Sequence, residues 1–379
     1  MQINVSTDLL SSLVANANSI LKKNHTIRIV AEAEVPGEVG QITVTSFEDT
    51  TVSAWRGEGE VLQAGSIAVR GDGLERFLKL SSKADKVVQL ETFDVDNRSS
   101  MRVITNRGAH EFDGYPEQVF EAIDPGRVNI GLGDLTDLAN AIKIARTSTL
   151  PETEAAGARI ALSGVHIRPL EGNFHVVGTD GKRLSWCSIR SNAMAEADIP
   201  DEGITIPAKM ASVVTAIISG EPAAIRVVDN TLIVENGGGS MSFPLIDAAY
   251  PDYARLLQVK TEHTFAIPTQ DFLTSLDRSS ASIGQEERFV AATLLRDSEG
   301  VHLSSFTSKE SSSEMLSAEA GEECDISFNV AFMKRAASNI DAKTVNVSFT
   351  DVSKPVLLSS EDRPDLLMLV MPCKSNQSR

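Results

Sequence analysis

Ile204-Thr205-Ile206 runs into Met210-Ala211-Ser212-Val213, a short alternating stretch followed by apolar residues at helical spacing, and this junction decides the fold because it occurs three times. Ile67-Ala68-Val69 feeds Leu74-Glu75-Arg76-Phe77 in the same way, and Ile326-Ser327-Phe328 feeds Phe332-Met333-Lys334, at intervals of about 130 residues. A second junction of this kind lies upstream of each. Ile3-Asn4-Val5 precedes Asp8-Leu9-Leu10, Val128-Asn129-Ile130 precedes Asp134-Leu135, and Phe265-Ala266-Ile267 precedes Asp271-Phe272-Leu273, each aspartate reading as an acidic N-cap. The roughly sixty to seventy residues between the paired junctions match a four-strand meander at ordinary strand and loop lengths. Alternating strands follow the second helix each time: Lys86-Val87-Val88-Gln89-Leu90, Ala224-Ile225-Arg226-Val227-Val228 and Thr344-Val345-Asn346-Val347-Ser348. Asp229-Asn230 and Gly237-Gly238-Gly239 are their hairpin turns. Tyr115-Pro116 and Tyr250-Pro251 close the first two units, and the third ends near Met371-Pro372. The expected fold is therefore α+β, two helices packed on antiparallel sheets, built three times over residues 1–125, 126–257 and 258–379.

Composition narrows the function. With 35 Lys+Arg against 52 Asp+Glu the net charge is −17, which excludes a uniformly basic coat gripping nucleic acid by bulk charge. An aromatic content of 5% argues against an array of base-stacking platforms, and no apolar run is long enough to span a membrane. Met1-Gln2-Ile3-Asn4-Val5 has neither a basic n-region nor an apolar h-region, so a cytoplasmic protein is expected and Asn346-Val347-Ser348 is a chance glycosylation match. Cys187, Cys324 and Cys373 are too scattered for a disulfide framework or zinc site and read as buried free thiols. The six histidines form no metal-ligand pair, and no cofactor or metal is expected.

Cations nevertheless collect on the helices. Leu135, Leu138 and Ile142 face the sheet by helical spacing, leaving Thr136, Asn140, Lys143 and Thr147 outward with Arg146 beside them. Leu74, Phe77 and Leu78 likewise point inward, while Arg76, Lys79 and Lys83 form an exposed stripe. Lys22, Lys23, Lys209, Arg278, Lys334 and Arg335 sit on or beside the equivalent helices, so a local phosphate-facing surface competes with plain complementation of the helix dipoles. Gly178-Thr179-Asp180-Gly181-Lys182-Arg183 is not a P-loop: two residues separate its glycines where four are required, and Arg follows Lys. It is a turn between Phe174-His175-Val176-Val177 and Leu184-Ser185-Trp186. No nucleophile, base or metal constellation appears, which weighs against an α+β hydrolase as the competing reading.

Thr179-Asp180-Gly181-Lys182-Arg183-Leu184 resembles the TDGHRL segment of the bacterial DNA polymerase III beta subunits, the sliding clamps. Tyr250-Pro251-Asp252-Tyr253 with Arg255 resembles that family's FPDY corner, Phe328-Asn329-Val330 its FNV helix start, Ser353-Lys354-Pro355-Val356 its S-x-PV strand, and Leu369-Val370-Met371-Pro372 its terminal VVMP. The motifs begin at the second unit; Arg159-Ile160-Ala161-Leu162 and Thr26-Ile27-Arg28-Ile29 are distant equivalents of family segments, and Ser375 to Arg379 run past the usual end. A divergent or second copy, or a scaffold that keeps the ring with altered or lost partner binding, fits these departures.

The resemblance implies a head-to-tail homodimer, a ring of six domains lined by helices that encircles double-stranded DNA without reading sequence and has no catalytic site. Its implied DNA-facing residues are the eleven cations named above. Its implied partner pocket, for short linear peptides of the polymerase III alpha subunit and the clamp loader, comprises Leu162, Thr179, Gly181, Lys182, Arg183, Leu184, Pro251, Arg255, Leu256, Asn329, Phe332, Pro355, Leu369, Val370, Met371, Pro372 and Cys373. Phe112 and Ile283 are implied at the subunit contact.

Overall fold

A computed structural model describes residues 1–19, 25–48, 50–95, 98–116, 133–192, 194, 197–282, 290–306 and 311–374. Val128-Asn129-Ile130 falls outside these. The chain opens with β1 (Gln2–Ser6), α1 (Thr7–Asn18), β2 (Thr26–Glu32), β3 (Glu38–Glu48), β4 (Thr51–Gln63), β5 (Gly65–Arg70), α2 (Gly71–Ser81), β6 (Val87–Val95), β7 (Arg98–Thr105) and β8 (Gly108–Tyr115). It continues with α3 (Thr136–Arg146), β9 (Gly164–Leu170), β10 (Asn173–Thr179), β11 (Arg183–Ile189), β12 (Ile204–Pro207), α4 (Ala208–Ile218), β13 (Ala223–Val228), β14 (Thr231–Asn236), β15 (Gly239–Pro244) and the short α5 (Ala254–Leu257). The last series is β16 (His263–Pro268), α6 (Thr269–Ser282), β17 (Ala291–Arg296), β18 (Val301–Phe306), β19 (Ser311–Leu316), β20 (Cys324–Asn329), α7 (Val330–Ile340), β21 (Thr344–Phe349), β22 (Val356–Ser359) and β23 (Leu366–Val370).

Each series repeats one topology. Between the paired helices the strand order is β5-β2-β3-β4, then β12-β9-β10-β11, then β20-β17-β18-β19. The expected meander is thus corrected to a Greek key, because the fourth strand returns beside the first instead of extending the hairpin series. Three further strands follow the second helix as a meander: β6-β7-β8, β13-β14-β15 and β21-β22-β23. The strand that leads into the first helix pairs with the first of these, β1 with β6 and β16 with β21, and Gly133 bridges Ala223 at the equivalent place.

The chain packs as two compact units, Met1–Thr136 with Asn192–Asp198 and Ser212–Leu245, and Asp137–Ser191 with Ile199–Ala211 and Ile246–Arg379. In the first, β4 pairs with β15 (Val52 opposite Ser242, Trp55 opposite Gly239), so the first Greek key and the β13–β15 meander become one sheet. In the second, β11 pairs with β23, Arg183 opposite Val370 through Cys187 opposite Leu366, and the sheet runs on through β22, β21 and β16. Alternation places Ile27, Ile29 and Ala31 of β2 in the core of the first unit, beneath Leu10 and Val14 of α1 and Leu74 and Leu78 of α2. Leu138 and Ile142 of α3, Phe272 and Leu276 of α6 and Met333 of α7 are buried in the second unit. Each such side chain contributes about 1.5–3 kcal/mol on burial.

Local expectations are adjusted in four places. Ser6 caps α1 by accepting from the Leu9 amide at 3.5 Å, while Asp8 lies in the first turn, as does Asp271 in α6. Asp134 does accept the Thr136 amide at 2.9 Å ahead of α3. Phe77 is half-buried, its ring against His110 at 4.6 Å and Phe112 at 5.6 Å. Asp229 and Asn230 turn the β13–β14 hairpin with φ of 46° and 59°, but Gly239 already belongs to β15. Cys187 is buried, whereas Cys324 and Cys373 are only half-buried.

Candidate functional site

The hairpin joining β10 to β11 is built around one carboxylate. Asp180 accepts from the Lys182 amide at 2.8 Å, the Arg183 amide at 3.0 Å and Arg183 Nε at 2.9 Å. Gly181 supplies the φ of 86° that the turn needs, and Thr179 Oγ1 donates to the Arg183 carbonyl at 2.6 Å while accepting the Gly181 amide at 3.1 Å. Gly178 brings α3 up to this hairpin: a Cβ there would stand 1.9 Å from the Ala145 carbonyl oxygen. The Arg183 guanidinium, 14% exposed, then lies over the Phe332 ring at 4.6 Å. Phe332 itself is set by the Asn329 side chain, which caps α7 by accepting its amide at 3.0 Å.

These elements border a groove of about 60 Å³ lined by Thr179, Gly181, Lys182, Arg183, Leu184, Leu256, Pro355, Leu369 and Met371. All nine are among the positions that the family resemblance implies, although they come from four separate segments. The Met371 amide donates to the Lys182 carbonyl at 2.8 Å, tying the end of β23 to the hairpin loop. Leu184 and Leu369 are buried in the floor, whereas Leu256 and Met371 stay 38% and 40% exposed at the rim.

The other implied pocket residues are elsewhere. Val370 is fully buried, turned away from Leu369 by strand alternation. Leu162 is buried, and its carbonyl accepts the Leu150 amide. Pro251 is exposed, and Arg255 is 88% exposed and paired with Asp252 at 3.0 Å, so neither lines the groove. Asn329 and Phe332 act through the α7 cap and the Arg183 contact. Pro372 and Cys373 are half-buried beyond the groove, with the Cys373 amide donating to the Ser327 carbonyl at 2.9 Å.

Sequence reasoning missed what supports the floor. Val177, Leu184, Tyr253, Leu357 and Leu369 form one apolar cluster, flanked by Trp186, Tyr250 and Leu367. His166 stacks on Tyr250 at 4.3 Å with 6° between the planes and bonds Thr205 Oγ1 through Nδ1 at 3.0 Å. His175 meets the Tyr253 hydroxyl at 3.3 Å. Burial pushes the His166 pKa down to about 4, lowers that of His175, and raises that of Tyr253 to about 12. The only sequence signal for this cluster is the density of aromatic and imidazole side chains around the Tyr250 to Tyr253 corner.

The basic residues divide into two classes. Arg76 pairs with Asp72 at 3.5 Å, Lys79 with Glu75 at 2.5 Å, Arg278 with Glu314 at 3.5 Å, and Lys334 with Asp277. Lys83, Lys143, Arg146, Lys209 and Arg335 are exposed and have no carboxylate partner among the described residues. Lys22, Lys23 and Ile283 lie outside the described residues. Phe112 is half-buried on β8 against Phe77.

The model for the DNA polymerase III beta subunit central domain matches residues 137–252, and that for its C-terminal domain matches residues 255–374. The beta sliding clamp of Bacillus subtilis is 21% identical over 393 residues, covering 99% of this chain and 100% of its own length. That of Rickettsia bellii is 22% identical over 398 residues, with 99% and 100% covered. The crystal structure of the C. crescentus beta sliding clamp superposes with a TM-score of 0.85 over 99% of each chain at 18% identity, which establishes a shared fold.

Proposed function

Because this chain belongs to the DNA polymerase III beta subunit family, it is a DNA sliding clamp, a processivity factor without chemistry of its own, and we propose that it works through two surfaces: cationic helix faces that ride on duplex DNA and the groove beside β11 and β23 that holds partner peptides. Clamps stay on DNA by topology, so the contacts with phosphate need only be weak and sequence-blind. Lys83, Lys143, Arg146, Lys209 and Arg335 suit that task as unpaired exposed cations in a chain whose net charge of −17 discourages adhesion elsewhere. No helix among the described residues is long and apolar enough to cross a membrane.

Ring closure has a topological basis. The third strand of the first Greek key joins the last strand of a later meander (β4 with β15), and the third strand of the second does the same (β11 with β23). Among the described residues two stretches of this kind are left over, β19 in the last Greek key and residues 108–113 of β8 in the first meander, the end of β8 being paired with β5 through Gly114 and Tyr115. Pairing β19 of one copy with β8 of the next repeats the rule and makes a heterologous contact, which two copies close into a ring. Phe112 on β8 belongs to this contact in our reading, and the three-domain division at 1–125, 126–257 and 258–379 follows the same repeat.

The observation that carries the peptide site is the convergence of nine positions from four segments on one groove with an apolar floor. Such grooves depend on a few desolvated anchors. Replacing Met371 or Leu256 by Ala removes rim contacts from residues already well exposed, so the fold should hold while affinity for a polymerase-derived peptide falls roughly tenfold, about 1.4 kcal/mol. Fluorescence anisotropy measures this; unchanged affinity in both variants places the peptide elsewhere.

A further inference from the structure

We propose that Asn236 is a site of spontaneous deamidation, and that its conversion to aspartate or isoaspartate loosens the seam between β4 and β15. Asn236-Gly237 is the only Asn-Gly step in the chain. Glycine has no side chain to shield its amide or to keep the backbone from closing a ring. The Gly237 amide is exposed in the β14–β15 turn and makes no hydrogen bond among the described residues. In the reaction that nitrogen gives its proton to solvent base and attacks Cγ of Asn236; the Cγ–Nδ2 bond breaks and the side-chain nitrogen leaves as ammonia. Water then opens the cyclic imide at either carbonyl, giving aspartate or isoaspartate with no change of oxidation state.

The folded chain uses both ends of that carboxamide. Its Oδ1 accepts the Gly238 and Gly239 amides, each at 2.9 Å, and its Nδ2 donates to the Ile217 carbonyl at 2.9 Å in the last turn of α4. An aspartate can still accept the two amides but has no proton to donate, so it sets a negative oxygen against a carbonyl at the negative end of a helix. An isoaspartate adds a methylene to the backbone of a turn that has no slack. The Gly238 carbonyl accepts the Arg56 amide at 2.8 Å, and a Cβ on Gly239 would lie 2.5 Å from the Trp55 ring. Gly239 is also the residue opposite Trp55 in the β4–β15 pairing, so either product acts on that seam. The three hydrogen bonds of the carboxamide hold it in place, and conversion therefore waits on opening of the turn.

The test holds the full-length protein in warm, mildly alkaline buffer, maps its peptides by mass spectrometry, and labels isoaspartate with protein isoaspartyl methyltransferase. Deamidation should appear first and most at Asn236. Gly237→Ala, whose Cβ would meet nothing within 4 Å, should keep the fold and stay unmodified over the same interval. The aged parent should unfold at a lower urea midpoint than the fresh protein, and aged Gly237→Ala should not. Asn236→Asp made directly should show the same loss, and its gap from the parent should narrow as pH falls and the carboxyl regains a proton to donate. Trp55 is buried and one of two tryptophans, so in a Trp186→Phe background its emission reports the seam and should shift to the red on ageing. Conversion no faster at Asn236 than at other asparagines, or equally fast in Gly237→Ala, overturns the site. Unchanged Trp55 emission and an unchanged urea midpoint in Asn236→Asp overturn its coupling to the seam.

Discussion

His166 shows how far one side chain can depart from its free behaviour. It is 4% exposed, stacked on Tyr250, edge-on to Tyr253 and bonded to Thr205, and its burial, with the Arg168 cation nearby, disfavours a second proton by more than a backbone hydrogen bond with Ile204 favours it. Its pKa falls from 6.5 to about 4 on folding. Between those values the unfolded chain binds a proton that the native chain refuses, so stability is complete above about pH 6.5 and declines as pH falls toward 4. By pH 5 the loss is about 2 kcal/mol. His166→Gln, which keeps a hydrogen-bonding group toward Thr205, should lower stability at pH 7 yet flatten its dependence between pH 7 and 5. The measurement is the urea midpoint of the same transition in both proteins, since a chain of this size need not unfold in one step. Parallel midpoint shifts would assign the acid sensitivity to carboxylates instead. Burial of His166 was not legible in the sequence: an isolated histidine in an alternating strand looks the same whether its neighbours across the sheet are aromatic or water.

Among the elements, α2 and α3 illustrate why a stripe of cations is not yet a DNA-binding face. Both were legible as amphipathic helices, and the structure buries Leu74 and Leu78 of one and Leu138 and Ile142 of the other. On α2, however, Asp72 and Glu75 sit four residues before Arg76 and Lys79, and Asn18 of α1 holds Glu75 at 2.7 Å. Exposed pairs of this kind are worth only about 0–1 kcal/mol, so they do not remove the cations, but each carboxylate offsets the charge its partner offers to a phosphate. Lys143 and Arg146 on α3 carry no such compensation among the described residues. Lys143→Glu with Arg146→Glu should therefore weaken binding to a primed duplex and flatten its salt dependence more than Arg76→Glu with Lys79→Glu, with the dimer intact in both. Equal losses across a salt series would mean that the acidic neighbours swing away when DNA arrives.

For the whole molecule, retention on DNA should depend on the ends of the DNA, because topology and not adhesion holds a ring of net charge −17 per subunit in place. Loaded with its clamp loader and ATP, the protein should remain on a nicked circle and leave once the circle is cut. Gel filtration of the complexes reads this directly, and equal retention on open linear DNA would contradict it. Light scattering should give a dimer, and blocking the β8 edge with Glu111→Pro should yield monomers that no longer load, since proline removes a strand amide that a partner strand needs.

Alternation and helical spacing settled the strands and helices by themselves, because the side that meets the core is a local property of each segment. The Asp180-Gly181 turn and the threefold order of elements were legible for the same reason, and the nine residues that line the groove are among the seventeen that the family resemblance implied. Only the tertiary structure decided that the fourth strand of each set doubles back, that β4 joins β15 and β11 joins β23, which cations are already paired, and that Val370 and Arg255 miss the groove. Those outcomes depend on which distant edges and charges meet, and a strand's backbone donors and acceptors are the same whatever strand they will bond.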